Sequence, residues 1–180
     1  MKNLITIVFL ALSFNSFSQE VEIKSAELDT MVWDKINERL VSIGKKPIVE
    51  FEQGEMKSFS TRVCETLIPA NAEFRHSPND SISKYSGGEC IYTNTTTSTH
   101  ENTYINYIEN GNLEAIAQDI VNAWVGSESH RIAISKDWYD STTVSTIIRY
   151  NKKTGYFKLA AAWHEEDDLY DLYKVVSLYK

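Results

Sequence analysis

The chain has 180 residues, 42% of them hydrophobic and 24% charged, and a formal net charge of −7. That length suits one ordinary domain with a sizeable core. An acidic chain without a basic cluster repels phosphate backbones, which argues against nucleic acid as a partner.

At the start, Lys2 supplies a positive charge, Leu4 to Phe14 form an apolar run, and Ser16-Phe17-Ser18 place small residues at the cleavage-defining positions. This pattern predicts a secretory signal peptide over 1–18, cut before Gln19, and a secreted or periplasmic protein. The apolar run is well short of the roughly 20 residues that cross a bilayer, so no membrane span is expected. No Cys follows it to carry a lipid anchor. The single domain, 19–180, then has 162 residues and a charge of −8, because Lys2 is the only charged residue removed.

Leu28, Val32, Ile36, Leu40 and Ile43 recur at helical spacing, with Gly44 placed for a left-handed cap and Pro47 blocking continuation. Met56, Phe59, Val63 and Leu67 mark a second helix, ended before Pro69, with Cys64 on or beside its apolar face. The Gly87-Gly88-Glu89 segment predicts a tight turn that delivers a carboxylate. The threonine-rich Tyr92 to Thr99 has no apolar face and predicts a solvated loop or edge strand. Leu113, Ile116, Ala117, Ile120, Val121 and Trp124 form the cleanest stripe, with Asn112 able to cap its start and Gly126 its end.

Beyond His130 the pattern changes. Thr142 to Tyr150 and Gly155 to Trp163 are β-branched and aromatic, and Asn151-Lys-Lys-Thr-Gly155 between them predicts a hairpin. Glu165 to Asp168 predict a solvated acidic turn, and Tyr170 to Tyr179 a third strand or a short closing helix. Helices first and strands last predict an α+β domain with helices covering an antiparallel sheet.

Three separated stretches carry the reactive side chains: His76-Ser77, Gly87 to Ile91, and Trp124 to Arg131. Ser127 is placed to cap a short helix whose third residue is His130. The positive end of that helix and Arg131 would lower the His130 pKa and favour the neutral imidazole that binds metals or accepts protons. Glu128, in the first turn, complements the helix dipole. His100 is expected in a loop and His164 at a strand end, from which it could approach the cluster, though nothing in the sequence requires it. In an oxidising compartment an even cysteine count argues for one bridge, Cys64–Cys90, worth about 3–4 kcal/mol if unstrained. Two buried free thiols are the alternative.

Together, Asn37-Glu38-Arg39 with Gly44 and Pro47, His76-Ser77, Gly88-Glu89-x-Ile91 and Trp124-x-x-Ser127-x-x-His130-Arg131 resemble the CAP superfamily. This comprises the cysteine-rich secretory, antigen 5 and pathogenesis-related proteins, with a bacterial SCP-like branch. The resemblance runs from Leu28 to Trp163 and implies an α-β-α sandwich with a three-stranded antiparallel sheet flanked by helices. It also implies a cleft with two histidines and two acids that sometimes holds zinc. By position these are His76, Glu89 and His130, with the fourth ligand unassigned: Ser127 stands where many members have Glu, and Glu128 is one step along. Cys90 departs from the family's Asn.

The leading expectation is a secreted, non-enzymatic binding domain whose cleft holds a divalent metal through His76 and His130, with Glu89 as a ligand or as a partner behind the ligands. Two imidazoles and a carboxylate suit zinc better than calcium. The resemblance adds a small molecule, lipid or protein as partner. The alternative is a metal-assisted, peptidase-like hydrolase with Glu89 as general base. A third reading makes Cys90 a thiolate nucleophile activated by His76 or His130.

Overall fold

The structure is a computed structural model that describes residues 20–76, 88–97, 103–136 and 141–165. The signal peptide expected over 1–18, Ser77, Gly87, His100, Glu166 to Asp168 and Tyr170 to Tyr179 lie outside the described residues.

The fold is α+β. In chain order it runs β1 (Val21–Ile23), α1 (Ala26–Ser42), β2 (Glu50–Phe51), α2 (Glu55–Leu67), β3 (Gly88–Thr96), α3 (Thr103–Glu109), α4 (Leu113–Gly126), α5 (Glu128–Ile134), β4 (Ser141–Asn151) and β5 (Tyr156–Glu165). Ser25 starts α1 by accepting a hydrogen bond from the Leu28 N–H, and Glu27 and Asp29 complement the dipole in its first turn. Beyond its last turn Gly44 takes φ +76°, as its position predicts. Asn112 caps α4 through Ala115 N–H. The end of α4 differs from expectation. Gly126 is still helical, and the Ser127 N–H reaches back to the Ala123 and Trp124 carbonyls.

The long strands pair antiparallel in the order β4-β5-β3, with β1 antiparallel and the two-residue β2 parallel on the outer edge of β4. The sheet thus has five strands among the described residues rather than three. The β4–β5 hairpin turns where Asn151 Oδ1 accepts the Lys153 and Thr154 N–H groups and Gly155 takes φ +67°. Glu89 pairs opposite His164, and His164 opposite Thr143.

Side-chain alternation divides the core. On one face, Cys90, Val144, Ile148, Leu159, Ala161 and Trp163 meet the apolar stripes of α1 and α4. On the other, Ile91, Ile147, Ala160 and Ala162 meet Val63, Cys64 and Leu67 of α2. Leu28, Val32, Ile36 and Leu40 of α1 are each at most 1% exposed. Side chains of this kind contribute about 1.5–3 kcal/mol each when fully buried, so this stripe anchors the larger face.

The expected Cys64–Cys90 bridge is absent, and both cysteines are free and buried. They belong to separate clusters on opposite faces of the sheet. Cys64 Sγ donates to the Ser145 carbonyl at 3.2 Å, and Cys90 Sγ faces the His130 carbonyl oxygen at 3.9 Å. The expected turn at Gly88-Glu89 is also corrected, since both residues lie in β3. Gly88 fits there because the Glu165 side chain fills the space that a Cβ would need. Glu165 itself ends β5 and is buried rather than part of a solvated turn.

Candidate functional site

Four side chains converge beside β3, which is paired on one edge only among the described residues. Glu89 projects from β3 and is only 4% exposed in its side chain. Its Oε1 lies 2.8 Å from His76 Nδ1, and its Oε2 lies 2.8 Å from His164 Nε2. His76 comes from the segment that follows α2 and is half exposed. His164 comes from β5 and is fully buried. The register that sets Glu89 opposite His164 puts both on the α2 side of the sheet, where Phe59 of α2 stands edge-on to the His164 ring at 4.9 Å between centroids. The His130 ring, from α5, lies 5.9 Å from that of His76, centroid to centroid.

The electrostatics follow from this placement. Burial lowers the His130 pKa below the ordinary histidine value, the neighbouring His76 lowers it further, and Glu89 opposes the shift. The direction matches the sequence expectation, and desolvation is the largest cause. Each Glu89 oxygen faces one ring nitrogen, so each of those nitrogens is the natural place for a proton. His76 then presents Nε2 away from the carboxylate.

Next to the histidines a cavity of about 320 Å³ is lined by Phe74, Ile91, Tyr92, Trp124, Ser127 and His130. Its walls are mostly apolar. Trp124 is 1% exposed, and its indole N–H has no hydrogen-bond partner among the described residues.

The structure therefore brings together His76, Glu89 and His130, as the three sequence stretches imply, and adds His164. Nothing in the sequence alone marks His164, because its role depends on strand register. Ser127 lines the cavity but does not cap α5 through its side chain, since its Oγ bonds Ser129 Oγ at 3.2 Å instead. Glu128 is exposed in the first turn of α5, where a carboxylate needs no further role. The nucleophile reading of Cys90 is corrected. Burial pushes its thiol far above the ordinary range, Glu89 and Glu165 push the same way, and the sulfur faces a backbone carbonyl rather than an imidazole.

Among the described residues no group of three or more His, Cys, Asp or Glu is arranged to hold a metal ion. Glu89 is engaged on both oxygens, and the imidazoles of His76 and His130 stand 5.9 Å apart, centroid to centroid. No helix among the described residues is long and apolar enough to cross a membrane.

No protein-family model matches the chain, and no curated protein matches it. Among solved structures, an outer surface protein from Borrelia burgdorferi is similar with a TM-score of 0.44 and 12% sequence identity, covering 82% of this chain and 99% of that one. A likeness of that strength carries no argument about fold or function.

Proposed function

We propose that this chain is an exported CAP-like binding domain, an α-β-α sandwich whose cleft beside β3 seats a ligand with the help of a divalent cation. His76 and His130 are the cation's protein ligands, and zinc is the ion their nitrogens suit. Glu89 stands behind His76 rather than on the metal, in the carboxylate–histidine–metal arrangement that fixes ring orientation and raises ligand basicity. Two protein ligands leave positions for water and for a donor from the bound molecule. The apolar cavity beside them accepts a small molecule, a lipid or a protein side chain. The observation that carries this reading is the pair of adjacent rings, 5.9 Å apart, one of them held by a nearly buried carboxylate.

The hydrolase alternative requires a base with a free oxygen. Glu89 accepts from one histidine on each oxygen, and that engagement favours binding over turnover. Calorimetry of zinc binding to wild type, His76→Ala and His130→Ala tests the reading. Wild type binds, and each substitution abolishes or strongly weakens binding. Equal zinc binding by all three proteins would remove the cleft from consideration. Turnover of a peptide or ester library by the zinc-loaded wild type would replace the binding domain with the hydrolase.

A further inference from the structure

His164 is the most deeply buried imidazole in the described residues, at 0% exposure, and the binding reading gives it no task. Its environment fixes its chemistry. Nε2 points at Glu89 Oε2 at 2.8 Å, while Nδ1 is buried without a hydrogen-bond partner among the described residues. A proton on Nδ1 would leave an orphaned donor in the core and set the Nε2 lone pair against carboxylate lone pairs. A proton on Nε2 makes a charge-assisted hydrogen bond and leaves only an unpartnered acceptor. The arrangement therefore favours the Nε2–H tautomer. The Phe59 ring edge and the strand pairing to Thr143 and Glu89 hold the imidazole in place.

The consequence passes outward. Oε2 is held by this buried donor, and the other oxygen of Glu89, Oε1, meets His76 Nδ1 at 2.8 Å. We propose that His164 is a positioning residue of the cleft: its Nε2–H locks Glu89 so that Glu89 holds His76 with Nδ1 protonated and Nε2 presented away from the carboxylate. The inference deepens the binding reading above and rests on it only for what His76 Nε2 then meets. Such outer partners of a metal-binding histidine commonly alter affinity by about 10–100-fold when removed.

Imidazole nitrogen NMR on the metal-free protein tests it directly. Wild type shows His164 as the Nε2–H tautomer and His76 as the Nδ1–H tautomer. His164→Phe keeps an aromatic ring but removes the donor, and the His76 tautomer then shifts toward Nε2–H, the form that cannot present a free Nε2. His164→Gln retains a donor amide and restores part of the wild-type population. Zinc affinity falls about 10–100-fold in His164→Phe and recovers in part in His164→Gln. An Nδ1–H tautomer for His164 in wild type overturns the proposal without any variant, even if His164→Phe does not fold. So does an unchanged His76 tautomer in a folded His164→Phe. If wild type binds no zinc but the tautomers behave as described, the positioning role stands and the metal reading alone fails.

Discussion

Among the described residues, Asp29 and Glu89 both hold nearly buried carboxylates, one near each long edge of the sheet, and they are made tolerable in opposite ways. Asp29, at the start of α1, meets Lys57 of α2 and accepts the Thr146 hydroxyl at 2.6 Å. The same Lys57 ammonium donates to the Val144 carbonyl, on the stretch of β4 left between β2 and β1. These partners are internal, and they tie two helices to a strand edge. Glu89, near the edge beyond β5, is held by imidazoles, one buried and one half exposed. A permanent cation makes a clasp. A pair of titratable rings, one of them facing solvent, makes a site that a ligand can reach. Partner chemistry, more than burial, separates the carboxylate of the clasp from that of the proposed cleft.

Breaking the clasp gives the largest effect. Lys57→Met leaves the Asp29 carboxylate buried without its cation, and removing one member of such a pair costs about 3–5 kcal/mol. Denaturant unfolding measures the loss, and Asp29→Leu combined with Lys57→Met recovers much of it. A loss no greater than that of an exposed lysine would mean the clasp is ornamental. Glu89→Gln is expected to cost less, about 1–2 kcal/mol in the same assay, because its partner His76 opens to solvent. A larger loss than Lys57→Met would invert the comparison.

A smaller effect is the pH dependence of the clasp. Burial raises the Asp29 pKa above the ordinary aspartate value, against the opposing pull of Lys57 and Thr146. The folded protein therefore keeps a proton that the unfolded chain has already released. Asp29's contribution to stability is full below the ordinary aspartate range and is lost as pH rises through its raised folded value. Unfolding free energies measured across that window should lose this downward slope in Asp29→Asn. A slope unchanged by the substitution would mean that Asp29 titrates alike in both states.

The cysteines sharpen the same contrast with no expected energetic change. Cys64 lies near the clasp and Cys90 near the cleft, and burial pushes both thiols far up. Two thiols should titrate in denatured, unreduced protein and almost none before denaturation. None after denaturation would mean that a bridge joins the two faces after all.

Much of the fold is legible from residue spacing. The stripes from Leu28 to Leu40, Met56 to Leu67 and Leu113 to Trp124 locate three helices to within about two residues, because each stripe must face the sheet. The β4–β5 hairpin follows from its turn residues. The helix over Thr103–Glu109 is missed because it is only seven residues long, so its stripe of Tyr104, Ile105, Tyr107 and Ile108, which packs on the core, covers barely two turns. The Gly88-Glu89 segment misleads because two glycines resemble a turn, and the reason Gly88 sits in a strand lies across the sheet in Glu165. An even cysteine count predicts a bridge, whereas its absence depends on the face to which each cysteine turns. That in turn depends on pairing that no local pattern reveals. His164 is hidden for the same reason. Once Glu89 is known to pair with His164, its place in the site follows at once.

In the proposed cleft His76 and His130 bind one cation together while Glu89 stays behind His76. The most direct measurement is anomalous diffraction from a zinc-soaked crystal. The account predicts a zinc peak at about 2.0–2.1 Å from one nitrogen of each ring, with both Glu89 oxygens still on His76 and His164. A peak away from this pair, or one bound by Glu89 with His76 turned out, would contradict it.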